Sequence, residues 1–240
     1  REAMLPGRRE RWQRDPRVGV LVVVAFSALA AFVALGLALI IAPAWIQFDI
    51  AVSEAIRSIE LPGLEAFARF ATRLGDFWPM VILTVGTAML FWARGNRTSA
   101  ITLIIGVLSG SAFGALLKLL FARLRPALEV ARIPIPETYS FPSGHALAGL
   151  LFFGSLAFLV ILHERSLRRA LIATALCVLA ALTIAMARVY LGVHYLGDVV
   201  GSWLLGASWL AAVVLVSARW GAGSSEAAFS RAFKRAVGVS

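Results

Sequence analysis

An all-α fold that crosses a membrane six times, with short interfacial helices between the first and second crossings, follows from three features of the sequence. Hydrophobic residues fill 60% of the 240 positions and charged residues 15%, a balance foreign to water-soluble domains. The apolar residues fall into uncharged runs, several about as long as the roughly 20 residues needed to cross the hydrocarbon. The cations stand mostly between those runs.

The first crossing is predicted from Val18 to about Ala42, an uncharged run of about 25 residues. After Pro43 the pattern changes. Phe48, Val52, Ile56 and Ile59 recur every three or four residues, with Asp49, Ser53, Glu54 and Arg57 between them, so this segment reads as an amphipathic helix along the membrane surface. Pro62-Gly63 breaks it. Leu64 to Leu74 repeats the mixture, with Phe67, Phe70 and Ala71 against Glu65, Arg69 and Arg73. Two readings of these helices stand side by side: a lid or lipid-entry rim, and a packed external loop.

The second crossing is predicted over about Phe77–Ala93, with Trp78 and Trp92 at the depths where interfacial aromatics gather. The third covers Ser99 to about Phe121, where Gly106, Gly110 and Gly114 allow close helix packing, and Lys118 lies in its last turn. A cation there must snorkel or find an anionic partner. The polar, proline-rich loop Arg123–Tyr139 leads to the fourth crossing, Ala146–Leu162. The fifth is predicted over about Ala170–Ala187 and the sixth over Gly197–Val216.

A basic N-tail (1–17), the six-helix domain (18–217) and a basic C-tail (218–240) make up the predicted organisation. The opening stretch is too polar for the apolar core of a cleavable signal. The two tails and the loops 94–98 and 163–169 hold about 15 Lys and Arg, and the opposite side about 8. The positive-inside rule then sets both termini in the cytoplasm, within an inner membrane, and the opposite loops toward the periplasm or cell exterior. The net charge of +10 is spread between apolar runs with no basic, aromatic-interleaved patch, so it reads as topology and anionic-lipid contact rather than nucleic-acid binding. Cys177, the one cysteine, excludes an internal disulfide and reads as a small buried hydrophobe. No repeat suggests a transporter of inverted halves, and oligomeric state is not assigned.

Polar residues gather in three motifs: Lys118 with Arg125-Pro126 (K-x6-R-P), Pro142-Ser143-Gly144-His145 (P-S-G-H), and Arg188, His194 and Asp198 (R-x5-H-x3-D). Phosphoryl transfer spreads negative charge over three equatorial oxygens and calls for several cations and amide donors aimed at one point. Lys118, Arg125 and Arg188 come from separate segments but one membrane edge, which is how such a clamp is assembled. Gly144 is expected to permit a backbone conformation other residues resist. Ser143 and the helix N-terminus that follows offer an anion further donors. His194 and Asp198, four apart, share a face if the sixth helix has begun by then.

The three motifs resemble the active-site triplet of the type 2 phosphatidic acid phosphatase (PAP2) family, whose soluble relatives include vanadium-dependent haloperoxidases. The resemblance implies a membrane lipid phosphatase acting on a phosphate monoester or diphosphate, with phosphatidic acid, phosphatidylglycerol phosphate, undecaprenyl diphosphate and lipid A phosphates as candidate substrates. It implies that His194 is the nucleophile forming a phosphohistidine, Asp198 orients it, and His145 is the general acid, with Lys118, Arg125, Ser143, Gly144 and Arg188 binding phosphate. Neither metal nor cofactor is required. Ala187 stands where the family usually has Ser, so one hydroxyl is missing. The alternatives are a lipid-to-lipid phosphotransferase and a non-catalytic anionic-lipid transporter or binding protein; six crossings disfavour a haloperoxidase. His163 is given no role, and Glu129 and Glu137 either shape substrate choice or are merely solvated.

Overall fold

The structure is a computed structural model and describes residues 16–220, with side chains placed for residues 18–217. The predicted basic tails lie almost wholly outside these residues. Eight α-helices and one 3-10 turn, with no strand, make up the described chain: α1 (Pro16–Ile41), α2 (Pro43–Arg57), α3 (Leu64–Leu74), α4 (Phe77–Ala93), α5 (Arg97–Phe121), a 3-10 turn (Leu128–Val130), α6 (Gly144–His163), α7 (Leu167–Tyr190) and α8 (Leu196–Trp220).

Among these, α1, α5, α6, α7 and α8 are each long and apolar enough to cross a membrane alone. The second predicted crossing, α4, has 17 residues. It meets α3 at a 56° bend, so the described residues offer five crossings, or six where the bent pair makes one broken span rather than a re-entrant loop. The core lies where α6 packs against α5, α7 and α8, with α1 against α8. Leu103, Leu147, Leu151, Ile184 and Leu205 fill it, each 2% exposed or less. Close approach depends on small residues. A Cβ on Gly110 would stand 2.7 Å from both Leu151 and Trp209, and one on Gly114 would stand 2.2 Å from Leu147.

Helices α2 and α3 form where the sequence predicts surface helices, since Pro43 fits the first turn of α2 and Gly63, at φ 79°, starts α3. Their faces carry a surprise. Asp49, Ser53 and Arg57, one polar stripe at four-residue spacing, are the buried residues of α2, while Trp45 and Phe48 point outward. In α3 the small residues Ala68, Ala71 and Thr72 face inward, and Phe67 and Phe70 outward. The polar stripe is used as caps. The Asp49 carboxylate accepts the Gly197 N–H at 2.7 Å, and the Ser53 hydroxyl accepts the Leu196 N–H at 2.9 Å. These are two of the first-turn donors of α8, which lack partners within the helix. The surface helix α2 thus holds the N-terminus of the helix that carries Asp198.

Candidate active site

His194 and Asp198 meet, but not on a shared helix face. Helix α8 begins at Leu196, so His194 belongs to the turn before it and Asp198 to its first turn. The turn folds back through Gly192, at φ 73°, with the Val193 N–H donating to the Arg188 carbonyl at 3.2 Å. Asp198 Oδ2 also accepts the Tyr195 N–H at 2.9 Å, as an acidic residue at the third helical position does when it caps the turn before it. That capping places the carboxylate 3.2 Å from His194 Nδ1. The other ring nitrogen, Nε2, lies 3.1 Å from Arg125 Nη1.

Both members of the pair are buried, His194 to 1% exposure and Asp198 to 0%. Burial pushes the His194 imidazole down to about 3, against the Asp198 hydrogen bond and charge, which favour the cation. It is therefore neutral at ordinary pH, with the proton on Nδ1 and the Nε2 lone pair directed at Arg125. Asp198 keeps its place through further donors: Arg123 Nη1 at 2.6 Å and the Ser140 hydroxyl. Arg123 bridges onward, with Nη2 2.8 Å from Asp49, and its guanidinium lies over the Tyr195 ring. The two carboxylates hold the Arg123 guanidinium firmly protonated, above its usual range, despite the opposing effect of burial.

The predicted cations converge. Arg125 is spread over the segment just before P-S-G-H: Nε donates to the Thr138 carbonyl at 2.6 Å and Nη2 to the Thr138 hydroxyl at 3.0 Å, while Nη1 reaches the Val193 carbonyl at 2.8 Å. Lys118 Nζ donates to the Tyr139 carbonyl at 2.7 Å. Arg125, Arg188 and Asp198 lie near enough for their charges to act on Lys118. Arg188 is still helical, in the last turn of α7 rather than beyond it as predicted, and only 3% exposed. Its Nη1 donates to Thr72 Oγ1 at 2.8 Å, and its Nε is buried without a partner among the described residues. A buried orphan donor is costly, and at a cluster of cations it is what an anionic oxygen would satisfy.

Ser143 caps α6, its hydroxyl accepting the Ala146 N–H at 3.5 Å. Gly144 is the first residue of that helix and has no left-handed backbone, so the conformational reason for a glycine there falls away. Its contribution is openness: it is exposed, and a Cβ would point toward Lys118 Cε, 4.0 Å away. His145 Nε2 is 2.8 Å from Asp76 Oδ1. A cavity of about 260 Å³ opens beside Lys118, Gly144 and His145 and runs between α4, α5 and α6 to Thr84, Val107 and Leu108. A separate cavity of about 350 Å³ between α5 and α8, around Thr102 and Ser217, touches none of the motif residues.

The profile of the PAP2 superfamily matches residues 99–222, just over half of the chain. The chain belongs to the PAP2 superfamily. It is 29% identical over 169 residues to an undecaprenyl-diphosphatase of Sulfolobus acidocaldarius, covering 69% of this chain and 76% of that protein. It is 28% identical over 161 residues to phosphatidylglycerophosphatase B of Bacillus subtilis, covering 66% and 77%. The fold matches the crystal structure of the first transmembrane PAP2-type phosphatidylglycerolphosphate phosphatase from Bacillus subtilis with a TM-score of 0.70, over 80% of this chain and 94% of that one, at 24% identity. With its apolar helices, this makes the chain an integral membrane member of the superfamily.

The structure brings the eight motif residues together, but the groups that hold them were missed in the sequence. Arg123, Asp49, Ser140, Thr72 and Asp76 carry no motif spacing of their own. The signal available for Arg123 was a cation next to an apolar run with no partner nearby in sequence. Ala187, at the family's Ser position, packs with Ala68 and Ala71 of α3, a contact that a methyl group fills. His163 is at the far end of α6, against Asn96 and the Leu159 carbonyl, and Glu129 and Glu137 are exposed.

Proposed function

We propose that this protein is a membrane lipid phosphatase that hydrolyses a lipid phosphate monoester or diphosphate through a phosphohistidine on His194. The observation that carries the reading is the His194 geometry: Nδ1 tied to a buried carboxylate and Nε2 left beside a guanidinium. A phosphate bound by Arg125, Lys118 and Arg188 brings phosphorus to Nε2. The Arg125 N–H now directed at that nitrogen then serves the phosphate oxygens, freeing the lone pair to attack. Asp198 fixes the tautomer and stabilises the ring as it gains positive charge. His145 protonates the leaving oxygen, and then takes a proton from the water that releases phosphate. The scheme routes no step through a metal ion, whose approach three cations would oppose.

The cavity supports the substrate class. Its polar end holds Lys118 and His145, and its remainder is apolar and set between the α4, α5 and α6 helices. A headgroup phosphate fits the first part and an acyl or prenyl chain the second. The undecaprenyl-diphosphatase and phosphatidylglycerophosphatase relatives act on substrates with this division. The orientation goes with it: α4 as the second of six crossings, both termini in the cytoplasm of an inner membrane, and the site toward the periplasm or cell exterior.

The test is phosphate release by detergent-purified protein from a panel of lipid monophosphates and diphosphates, with chelator present and His194→Ala in parallel. Release by the parent, at least about 10³-fold above the variant, is expected. Equal release by both would end the phosphohistidine reading. Release that chelator abolishes would end the metal-free scheme. Consumption of substrate only when an acceptor lipid is supplied, without free phosphate, would make the protein a transferase.

A further inference from the structure

The bend between α3 and α4 touches the site at three points within five residues. Thr72 accepts from Arg188, Gly75 packs on the His145 ring, and Asp76 bonds to His145 Nε2. None of the three belongs to the motifs. Asp76 occupies the N-cap position of α4, where a carboxylate ordinarily accepts first-turn N–H groups, yet it makes no such bond. Its carboxylate is turned to His145 instead.

We propose that Asp76 is the positioning residue that sets the working nitrogen of His145. The Asp76 carboxylate accepts the Nε2–H, so Nδ1 is left as the nitrogen that exchanges a proton with the leaving oxygen. Nδ1 makes no hydrogen bond to the protein among the described residues. The ring is also held from one side, because a Cβ on Gly75 would come 2.9 Å from His145 Cδ2 and 2.7 Å from Ile184. That contact lies on the edge opposite Nδ1. The charged groups acting on the ring are Asp76 from the bend, Arg188 from α7 and Arg125 from the loop, with Lys118 of α5 lining the same cavity. The Asp76 carboxylate is the anionic group in contact with the ring, and its charge favours the protonated form that His145 needs in order to donate.

The two histidines are thereby used in opposite senses. His194 is tied at Nδ1 and attacks with Nε2, whereas His145 is tied at Nε2 and works with Nδ1. In the first step the His194 Nε2–P bond forms as the P–O bond to the leaving group breaks. The His145 Nδ1 proton passes to that oxygen to give the free alcohol or phosphate. In the second step water attacks phosphorus, the N–P bond breaks, and the proton lost by water returns to Nδ1. The Nε2–H stays with Asp76 throughout.

This inference rests on the phosphatase reading, and the experiment separates the two. Full-length protein in detergent is assayed for kcat/KM, which reports departure of the first leaving group, on a long-chain alkyl phosphate and on p-nitrophenyl phosphate. Parent, His194→Ala, Asp76→Asn, Asp76→Glu, His145→Gln and the Asp76→Asn/His145→Gln double variant are compared. The aryl leaving group needs little protonation and the alkoxide needs it fully. Asp76→Asn is expected to lower kcat/KM for the alkyl phosphate on the order of 10²-fold, and for the aryl phosphate by less than about 5-fold. Asp76→Glu should recover part of the loss, and Asp76→Asn should cost nothing further once His145 is Gln. Equal losses on both substrates, or a full loss persisting beside His145→Gln, would overturn the proposal while His194-dependent turnover kept the phosphatase reading intact. No turnover by the parent would overturn both.

Discussion

Replacing Arg123 with methionine removes one guanidinium from between two buried carboxylates. The side chains of Arg123, Asp49 and Asp198 are 7%, 5% and 0% exposed, and the N–O distances are 2.8 and 2.6 Å, so water does not screen the bridge. Breaking a buried ion pair by deleting one partner costs about 3–5 kcal/mol. Protonation limits that cost: neutralising an ordinary carboxylate at pH 7 takes about 4 kcal/mol, at 1.36 per pH unit. Burial already holds the Asp49 carboxyl above its usual range, outweighing Arg123 and the Gly197 N–H, so Asp49 takes up the proton for less. Asp198 retains His194, Ser140 and the Tyr195 N–H. The expected loss is about 3–4 kcal/mol, or about 6–16 °C in Tm at roughly 2–4 °C per kcal/mol.

The assay is thermal unfolding of detergent-purified protein, followed by tryptophan fluorescence. Asp49→Asn keeps an acceptor for the Gly197 N–H and should cost less. The double variant should fall short of additivity by more than about 1 kcal/mol. Acid should shrink the Arg123→Met deficit. Without Arg123 the folded Asp49 carboxyl rises further above its unfolded value, so the folded state binds the extra proton between those two values and stability is lost as pH rises through that window. A shift below about 2 °C, strict additivity, or a deficit that grows on acidification would refute the reasoning.

Two further predictions concern the turn that carries His194. The parent should lose stability as pH falls from about 6.5 toward 3, because the buried imidazole binds its proton far less readily than in the unfolded chain; thermal midpoints measured across that range in parallel with His194→Ala should show a smaller acid loss in the variant. Gly192→Ala places a Cβ 2.2 Å from the Val130 carbonyl oxygen at a residue with φ 73°. The left-handed strain alone costs about 1–2 kcal/mol, so a lower Tm and at least about 10-fold less phosphate release are expected, and unchanged values would show that the turn does not hold His194 in place.

Much of the fold was readable in order, because a bilayer imposes length and apolarity on each crossing independently of its neighbours. The predicted bounds of α4 agree with the structure, and those of α5 begin two residues late. The predicted end of α7, at about Ala187, falls three residues short of Tyr190, since a buried cation ends an apolar run in sequence without ending the helix. The His194–Asp198 contact was anticipated from i,i+4 spacing, but a cap and a glycine turn make it. The sequence left open which face of α2 turns inward. Apolar periodicity shows which residues share a face, and in a protein surrounded by lipid it does not say that the apolar face is the inner one.

Taken alone, the chain determined its membrane class, the places of its helices and the eight polar residues of its motifs, all local properties written in hydropathy, spacing and residue type. Tertiary packing decided what those residues are bound to: Asp49 and Arg123 behind Asp198, Ser140 beside it, Thr72 on Arg188 and Asp76 on His145. Most of these partners are dozens of residues apart in the chain, and no local preference selects them. They are fixed because a charge or donor sealed away from water must find a partner wherever the fold supplies one.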